Sequence, residues 1–348
     1  MQLRRFALLP ALLLVLSHST FSHAQTYNSI VVFGDSLSDS GNNAKLTETK
    51  YGIRVPGPVA DYTDGRFTDG IDTFPFALNY QGVWVEQLAA MLPSSPTIKN
   101  SLDGGTDYAY GFATTAGGTA VWSFGPSNFY SVNVENIGQQ ITDYLATHPK
   151  INNNTLFIVW GGAIDVLNAR SSADVVNAAV RQAANVERLI AAGANQIVVP
   201  NLPPLGAVPR LNGFPATSIS VTGASILYNN TLAAGLGIVH DANPGKHLRL
   251  FPLDVFSLFT TIIASPSTFG LVNVTSISQG VYPLNPDTYL FWDDLHPTTR
   301  GHNIIAAAAD DLLVHHLCLA DSAPNEHGEA GEADCKYIPA GVGGGQSQ

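Results

Sequence analysis

The chain has 348 residues, of which 45% are hydrophobic and only 12% are charged, and its formal net charge is −11 at pH 7. This composition supports a large folded core and excludes a chain that is disordered throughout. The acidic charge disfavours nucleic acid and anionic lipid as partners, because both carry negatively charged phosphates. After the N-terminus no stretch approaches about 20 uninterrupted apolar residues, so a stable membrane anchor is not expected.

Residues 1–24 have the pattern of a secretory signal peptide. Two arginines precede an apolar stretch over residues 6–16, and Ser22-His23-Ala24 forms a small-x-small cleavage site. The sequence therefore predicts a secreted, extracellular protein whose main domain covers residues 25–320.

An unusual serine follows the first predicted strand of that domain. Residues 29–33 (SIVVF) indicate a short buried strand, and the polar, Gly-flanked residues after it must turn sharply. A serine at the carboxyl end of a parallel strand is well placed for chemistry. Ser36 is therefore a candidate nucleophile, although a Gly-Asp-Ser turn without catalytic function is equally compatible with this segment alone.

Strands and helices then alternate along the chain, which is typical of a mainly parallel sheet covered by helices on both faces. The predicted class is an α/β protein with a three-layer α/β/α sandwich. Helices are predicted at residues 83–92, 137–145, 173–192, 218–240, 255–263 and 299–317, and strands at 108–110, 155–160, 196–200 and 247–251, with a long irregular region after the first strand.

The residues that could activate the serine lie near the other end of the chain. A serine hydroxyl needs an imidazole to take its proton and a carboxylate to orient that imidazole. Asp293 and His296 are three residues apart, and Pro297 favours an extended conformation of His296 just before the last helix. By spacing alone, a surface Asp-His pair at a helix start is the commoner outcome.

Five separate segments together resemble the GDSL esterases and lipases of the SGNH-hydrolase superfamily, including secreted acetylesterases and lipases. Their order along the chain is that of the family, and the resemblance covers most of the chain after residue 24. The segments are GDSL at 34–37, GRFTDG at 65–70, DYAYG at 107–111, NLPPLG at 201–206 and Asp293-x-x-His296.

The resemblance implies a catalytic set of Ser36 as nucleophile, His296 as general base and then acid, and Asp293 as the residue that orients the histidine. It selects Asp293 over the neighbouring Asp294. It also implies an oxyanion hole formed by the backbone N–H groups of Ser36 and Gly111. No metal or organic cofactor is implied, and no cluster of cysteine and histidine has a spacing suited to metal.

One segment departs from the family pattern. The family reads Gly-x-Asn-Asp after the strand at 155–160, and Ile164 occupies the place of the asparagine. An isoleucine side chain cannot donate a hydrogen bond, so this oxyanion contact is missing unless Asn168, four residues later, replaces it. Loss of one such donor typically lowers the rate by about 100- to 1000-fold.

The resulting functional hypothesis is a carboxylic-ester hydrolase that forms an acyl-enzyme on acetyl or short-acyl esters, with a small-molecule or oligosaccharide substrate. One alternative is a lipase or phospholipase of the same family. Another is a binding protein that keeps the hydrolase fold but has been weakened catalytically by Ile164.

Residues 321–348 form an acidic, Gly-rich C-terminal tail. Cys318 and Cys335 are expected to pair in an oxidising compartment. Sequons for N-glycosylation occur at Asn153, Asn229 and Asn273.

Overall fold

The computed structural model of the protein describes residues 27–70, 80–152, 154–281 and 285–315. The predicted signal peptide, Asn153, both cysteines and the C-terminal tail lie outside the described residues, so the domain boundaries remain predictions.

Strands and helices alternate through most of the described chain. The strands are β1 Ser29–Gly34, β2 Thr119–Phe124, β3 Tyr130–Glu135, β4 Thr155–Trp160, β5 Gln196–Pro200, β6 Arg249–Leu253, β7 Asn273–Ile277 and β8 Tyr289–Phe291. The helices are α1 Asn42–Tyr51, α2 Trp84–Met91, α3 Ile137–Thr147, α4 Ala163–Asn168, α5 Ser172–Ala191, α6 Pro209–Asn212, α7 Pro215–Asp241, α8 Val255–Ala264 and α9 Thr299–Val314.

A parallel sheet with the strand order β1-β4-β5-β6 forms the centre of the fold. Alternate side chains of its strands face opposite sides, as the period of two in a strand requires. Val31, Phe33 and Phe157 pack with α3, α5 and α7, whereas Ile30, Val32 and Leu156 pack with α2, α8 and α9. The predicted three-layer α/β/α architecture is therefore confirmed.

The segment at residues 107–110 extends this sheet by a short irregular edge. Asp107 pairs in parallel with Val32, and the N–H groups of Tyr108 and Tyr110 donate to the carbonyls of Val32 and Gly34. The segment that follows Tyr110 therefore emerges beside the carboxyl end of β1. The loop after β4 emerges on the other side of the same strand end.

The elements that the sequence did not predict include α1 and the β2–β3 hairpin. The region after β1 is not irregular throughout, because it contains the polar helix α1, whose few apolar residues leave no amphipathic signal. The β2–β3 hairpin is an antiparallel pair separate from the main sheet. Both elements depend on tertiary contacts: the Lys50 ammonium and the Tyr51 hydroxyl of α1 donate to the carbonyl of Ser131 in β3.

The side chain of Asn229 is occupied within the fold. Its amide nitrogen donates to the carbonyl of Leu202 at 2.8 Å, and its amide oxygen accepts the N–H of Leu202 at 2.8 Å. This pairing disfavours a glycan at Asn229 in the folded chain. None of the helices within the described residues has the length and apolar character needed to cross a bilayer.

A buried histidine joins α2 to α9. The Nδ1 atom of His302 accepts the backbone N–H of Trp84 at 3.2 Å, and the ring is fully buried. Burial lowers the pKa of His302 to about 3, and the nearby His296 adds to this effect. The unfolded chain binds a proton at this ring near pH 6.5. Protonation therefore favours unfolding as the pH falls from about 6.5 towards 3.

We predict that His302→Asn reduces the loss of stability at acid pH, because asparagine keeps an acceptor for Trp84 but does not titrate. From pH 6.5 to 4.5, the free energy of unfolding of the wild type should fall by about 2 kcal/mol more than that of the variant. Urea unfolding at several pH values measures this difference.

The buried carboxyls of Asp35, Asp39 and Asp69 act in the opposite direction, because burial raises the pKa of each to about 6. These carboxyls are present in both the wild type and His302→Asn, so the difference in pH dependence between the two proteins reports His302 alone. The control is the replacement of exposed His315 by asparagine, for which the free energy of unfolding should depend on pH as it does in the wild type. Equal pH dependence in wild type and His302→Asn contradicts the prediction.

Candidate active site

The three predicted catalytic residues come together at the carboxyl edge of the parallel sheet. The Ser36 Oγ lies 2.9 Å from the His296 Nε2, and the His296 Nδ1 lies 2.7 Å from the Asp293 Oδ2. All three residues are buried, with at most 9% of the surface of each exposed. This is the geometry in which an imidazole accepts a serine proton while a carboxylate fixes its tautomer.

The loop that carries Ser36 is held by buried carboxylates. Asp35 Oδ1 accepts the N–H of Leu37 at 3.1 Å. Asp39 accepts four N–H groups: its Oδ1 accepts those of Gly41 and Asn42, and its Oδ2 accepts those of Asn43 and Gly111. These bonds close the loop between β1 and α1 against the neighbouring segment, which holds Ser36 at the strand end.

The carboxylate of Asp293 is supplied with donors on both oxygens. Its Oδ1 accepts the N–H groups of Leu295 and His296 at 2.7 and 2.6 Å. Its Oδ2 accepts the hydroxyl of Tyr62 at 2.7 Å besides pairing with His296. Burial alone would raise the pKa of Asp293, but His296 and these donors outweigh it and lower that pKa to about 2. Asp293 is therefore ionised at neutral pH.

The neighbouring Asp294 has a different environment. Its side chain is half-exposed and forms a bidentate ion pair with Arg210, with distances of 2.8 and 3.0 Å. The structure thus brings Asp293, and not Asp294, to the histidine, as the family spacing implies.

The GRFTDG turn at residues 65–70 packs against the segment that carries His296. The ring of Phe67 lies 5.1 Å from the imidazole of His296, centroid to centroid. The Thr68 hydroxyl donates to the carbonyl of Pro297, and Asp69 accepts both the N–H and the hydroxyl of Thr299. The guanidinium of Arg66 binds the carboxylate of Glu86 in α2.

The sequence did not predict that Tyr62 contacts Asp293 or that Phe67 contacts His296. Tyr62 lies outside every motif, and no residue pattern marks it. Phe67 lies inside a motif that matches the family, so its position beside the site could have been suspected. The orientation of the Phe67 ring could not be predicted from the motif.

The two backbone N–H groups expected to bind the oxyanion, those of Ser36 and Gly111, differ in their hydrogen bonding. The N–H of Gly111 already donates to Asp39 at 3.1 Å, so in this structure it is not available to an oxyanion. Within the described residues, the N–H groups of Ser36 and Phe112 donate no hydrogen bond. Phe112 has a φ of 74°, a left-handed conformation that is uncommon for a bulky side chain.

The expected third donor is also absent from the position at 164. Ile164 lies in α4 with its side chain buried beside Ser36. Asn168 does not replace it, because its amide nitrogen donates to the carbonyl of Ile164 at 3.0 Å and its side chain is exposed. The glycine before this helix is required, since Gly162 has a φ of 104° and a Cβ there would lie 2.3 Å from the Tyr228 ring.

A narrow apolar cavity adjoins Ser36. Its volume, counted as space open to the centre of a water molecule, is about 30 Å³. A single water needs about 10–15 Å³ of such space, so the cavity has room for about two waters or a group of similar size. Most of its wall is apolar, including Trp160, Ile164, Leu205, Val208, Phe259 and Phe291.

Within the described ranges, no group of three or more histidine, cysteine, aspartate or glutamate side chains is arranged to hold a metal ion. The polar groups that line the cavity are Asp35, Ser36 and His296. The chemistry that this arrangement can perform is nucleophilic attack by an activated hydroxyl on a small electrophilic carbonyl.

A hydrogen-bonded serine, histidine and aspartate at the edge of a parallel sheet define the class of serine hydrolases. Residues 30–309 match the model of the GDSL-like lipase/acylhydrolase family. The chain belongs to this family, and the resemblance noted in the sequence is confirmed. Membership supports a serine ester hydrolase.

Proteins similar in sequence carry lipase, esterase and acyltransferase names. "Lipase 1" of Photorhabdus luminescens is 27% identical over 89% of this chain and 54% of its own length. "Phosphatidylcholine-sterol acyltransferase" of Aeromonas hydrophila is 29% identical over 82% of this chain and 90% of its own length. The chain spans about half of Lipase 1 and 52% of a similar, uncharacterised Pseudomonas putida protein.

Two acetylesterases are among the solved structures that this chain matches. Est24, a carbohydrate acetylesterase from Sinorhizobium meliloti, has 15% identity and a TM-score of 0.39, covering 82% of this chain and 97% of that chain. Axe2, an acetylxylan esterase from Geobacillus stearothermophilus, has 13% identity and a TM-score of 0.39, covering 83% of this chain and 95% of its own.

We predict that Asp39→Ala destabilises the protein by about 2–4 kcal/mol, because several buried N–H groups lose their acceptor. Asp39→Asn keeps one acceptor oxygen and should lose less. Urea unfolding at neutral pH measures both. Asp311→Ala, on the exposed face of α9, is the control and should change the free energy of unfolding by less than about 0.5 kcal/mol. Equal effects at positions 39 and 311 would mean that the loop does not depend on this carboxylate.

Proposed function

We propose that the chain is a secreted carboxylic-ester hydrolase that forms an acyl-enzyme on Ser36. The observation that carries this proposal is the unbroken series of hydrogen bonds from Ser36 through His296 to Asp293, at 2.9 and 2.7 Å. Secretion rests on the signal-peptide pattern of residues 1–24.

The reaction begins when His296 takes the proton of Ser36 through Nε2. The Ser36 Oγ then attacks the ester carbonyl, and Asp293 stabilises the imidazolium that forms. The ring returns its proton to the leaving alcohol, which departs and leaves the acyl group on Ser36. A water molecule, activated by the same imidazole, releases the acid and restores the serine.

The N–H groups of Ser36 and Phe112 are the proposed oxyanion donors. Both are unused within the described residues, and Phe112 follows the glycine beside Phe67, whose ring contacts His296. Phe112 thus takes the role that the family resemblance assigned to Gly111. Two backbone donors support turnover without a side-chain donor at position 164, at a rate below that of a three-donor site.

The acyl group is proposed to occupy the cavity walled by Ile164, Phe259 and Phe291. The limited volume of about 30 Å³ favours an acetyl or short-acyl group. A carbohydrate ester is the preferred substrate class, since an acidic chain is suited to a neutral substrate.

A lipase is the second candidate. The apolar character of the cavity wall favours it, because an acyl chain that displaced Leu205 or Phe259 would meet further apolar side chains. A binding protein without turnover is less well supported, since Ser36, His296 and Asp293 are assembled with hydrogen-bond distances suited to catalysis. Labelling by a fluorophosphonate, which requires an activated serine, separates this last alternative from both enzymes.

We predict that Ser36→Ala lowers the kcat for nitrophenyl acetate by about 10⁴-fold or more, because the nucleophile is lost. Asp293→Asn should lower kcat by about 100- to 10,000-fold, since an amide cannot hold the required imidazole tautomer. Steady-state kinetics on folded variants measure both effects.

Asp294→Asn is the matched control for Asp293→Asn. It changes the same functional group one residue away, at a half-exposed ion pair with Arg210, and should keep nearly the activity of the wild type. A wild-type level of turnover in Ser36→Ala would refute the proposed function.

We predict that Ile164→Asn raises the kcat for nitrophenyl acetate by about tenfold, because an amide beside Ser36 adds a donor for the oxyanion. Unchanged turnover in Ile164→Asn contradicts the account of the missing donor.

The acyl preference of the wild type is tested with the nitrophenyl esters of acetate, butyrate, octanoate and palmitate. Turnover should decline with chain length, and a preference for palmitate establishes the lipase candidate instead.

A further inference from the structure

Tyr62, in a loop outside every recognised motif, contacts the Asp293 carboxylate. Its hydroxyl donates to the Asp293 Oδ2 at 2.7 Å. The same oxygen pairs with the His296 Nδ1, also at 2.7 Å. The two donors therefore share one carboxylate oxygen, while the other oxygen accepts backbone N–H groups.

The tyrosine is held in place by the residues around it. Its ring lies 6.3 Å from the ring of Phe67 in an edge-to-face arrangement, and Phe67 in turn lies against His296. Burial, followed by the negative charge of Asp293, raises the pKa of Tyr62 well above its ordinary value. The hydroxyl therefore stays protonated and remains a donor across the working pH range.

We propose that Tyr62 is a positioning residue for ester hydrolysis: its hydroxyl holds the Asp293 carboxylate in line with His296 and limits how strongly that carboxylate stabilises the charged imidazole. The inference rests on the proposed function of this site. It adds a fourth side chain to a series that the family pattern describes with three.

The physical effect follows from the competition for one oxygen. A hydrogen bond from Tyr62 withdraws part of the carboxylate charge from the Nδ1–H of His296. Without that bond, the carboxylate interacts with the imidazole alone and favours its protonated form. A ring that is protonated over a wider pH range is available less often as a base.

Several other charged or titratable groups influence Asp293, His296 or Tyr62. The Tyr62→Phe substitution leaves all of them in place and removes a single oxygen atom. Among the described residues, these groups are Asp35 after β1, Arg210 of α6, Asp294 beside the acid and His302 of α9.

The test compares Tyr62→Phe with wild type in the pH dependence of kcat/KM for nitrophenyl acetate. We expect the midpoint of the acid limb to move to higher pH, by about half a unit to one unit. We expect kcat to fall by about three- to thirtyfold, with KM nearly unchanged, since the lost bond orients the Asp293 carboxylate and not the substrate.

Tyr51→Phe is the matched control. It also removes a tyrosine hydroxyl donor, but the acceptor is the carbonyl of Ser131 on the hairpin, at 2.7 Å. Its pH profile should coincide with that of the wild type. A purely structural role of Tyr62 would lower stability or the active fraction without moving the acid limb.

A second readout does not depend on turnover. The titration of the His296 ring, followed by NMR on histidine-labelled protein and assigned through His296→Gln, should have a higher midpoint in Tyr62→Phe than in wild type. A midpoint that is unchanged or lower, in either measurement, overturns the proposal. If the wild type has no esterase activity, the proposed function fails, and the ring titration alone decides whether Tyr62 acts on this pair.

Discussion

The site depends on a buried carboxylate that is kept ionised. Asp293 lies where burial opposes its charge, and four donors outweigh that effect: two backbone N–H groups, the imidazole of His296 and the hydroxyl of Tyr62. An ionised acid fixes the tautomer of the imidazole, and the imidazole can then face Ser36 with its basic nitrogen. The rest of the fold serves to deliver these side chains to one edge.

Two separate loops supply the support for that edge. The loop after β1 is closed by Asp39, which collects N–H groups from its own segment and from Gly111. The GRFTDG turn packs Phe67 on His296 and binds the start of α9 through Thr68 and Asp69. Several motif residues thus have a positioning role, since buried polar groups must be paired wherever the backbone leaves regular structure.

The departures from the family pattern concern the oxyanion side of the site. Ile164 presents an apolar surface where the family has an amide, and the N–H of Gly111 is engaged by Asp39. The N–H of Phe112, which donates no hydrogen bond to any other described residue, lies next in the chain. Phe112 has a left-handed conformation that is uncommon for an aromatic residue. A non-glycine residue held in that conformation is compatible with a functional constraint.

Apolar periodicity and short motifs are local properties, so the strand-helix alternation and the parallel sheet could be predicted from the order of residues. The candidates Ser36, Asp293 and His296 could be predicted for the same reason. It missed α1 and the β2–β3 hairpin, whose stability comes from contacts with distant segments. Two features follow only from the packing of distant segments: which N–H groups lack an acceptor within the described residues, and which side chain shares the Asp293 Oδ2 with the imidazole. Tyr62 and Asp293 are 231 positions apart, and their contact has no signature in either neighbourhood. A hydrogen bond between distant segments is decided by folding, since its geometry depends on the whole core between them.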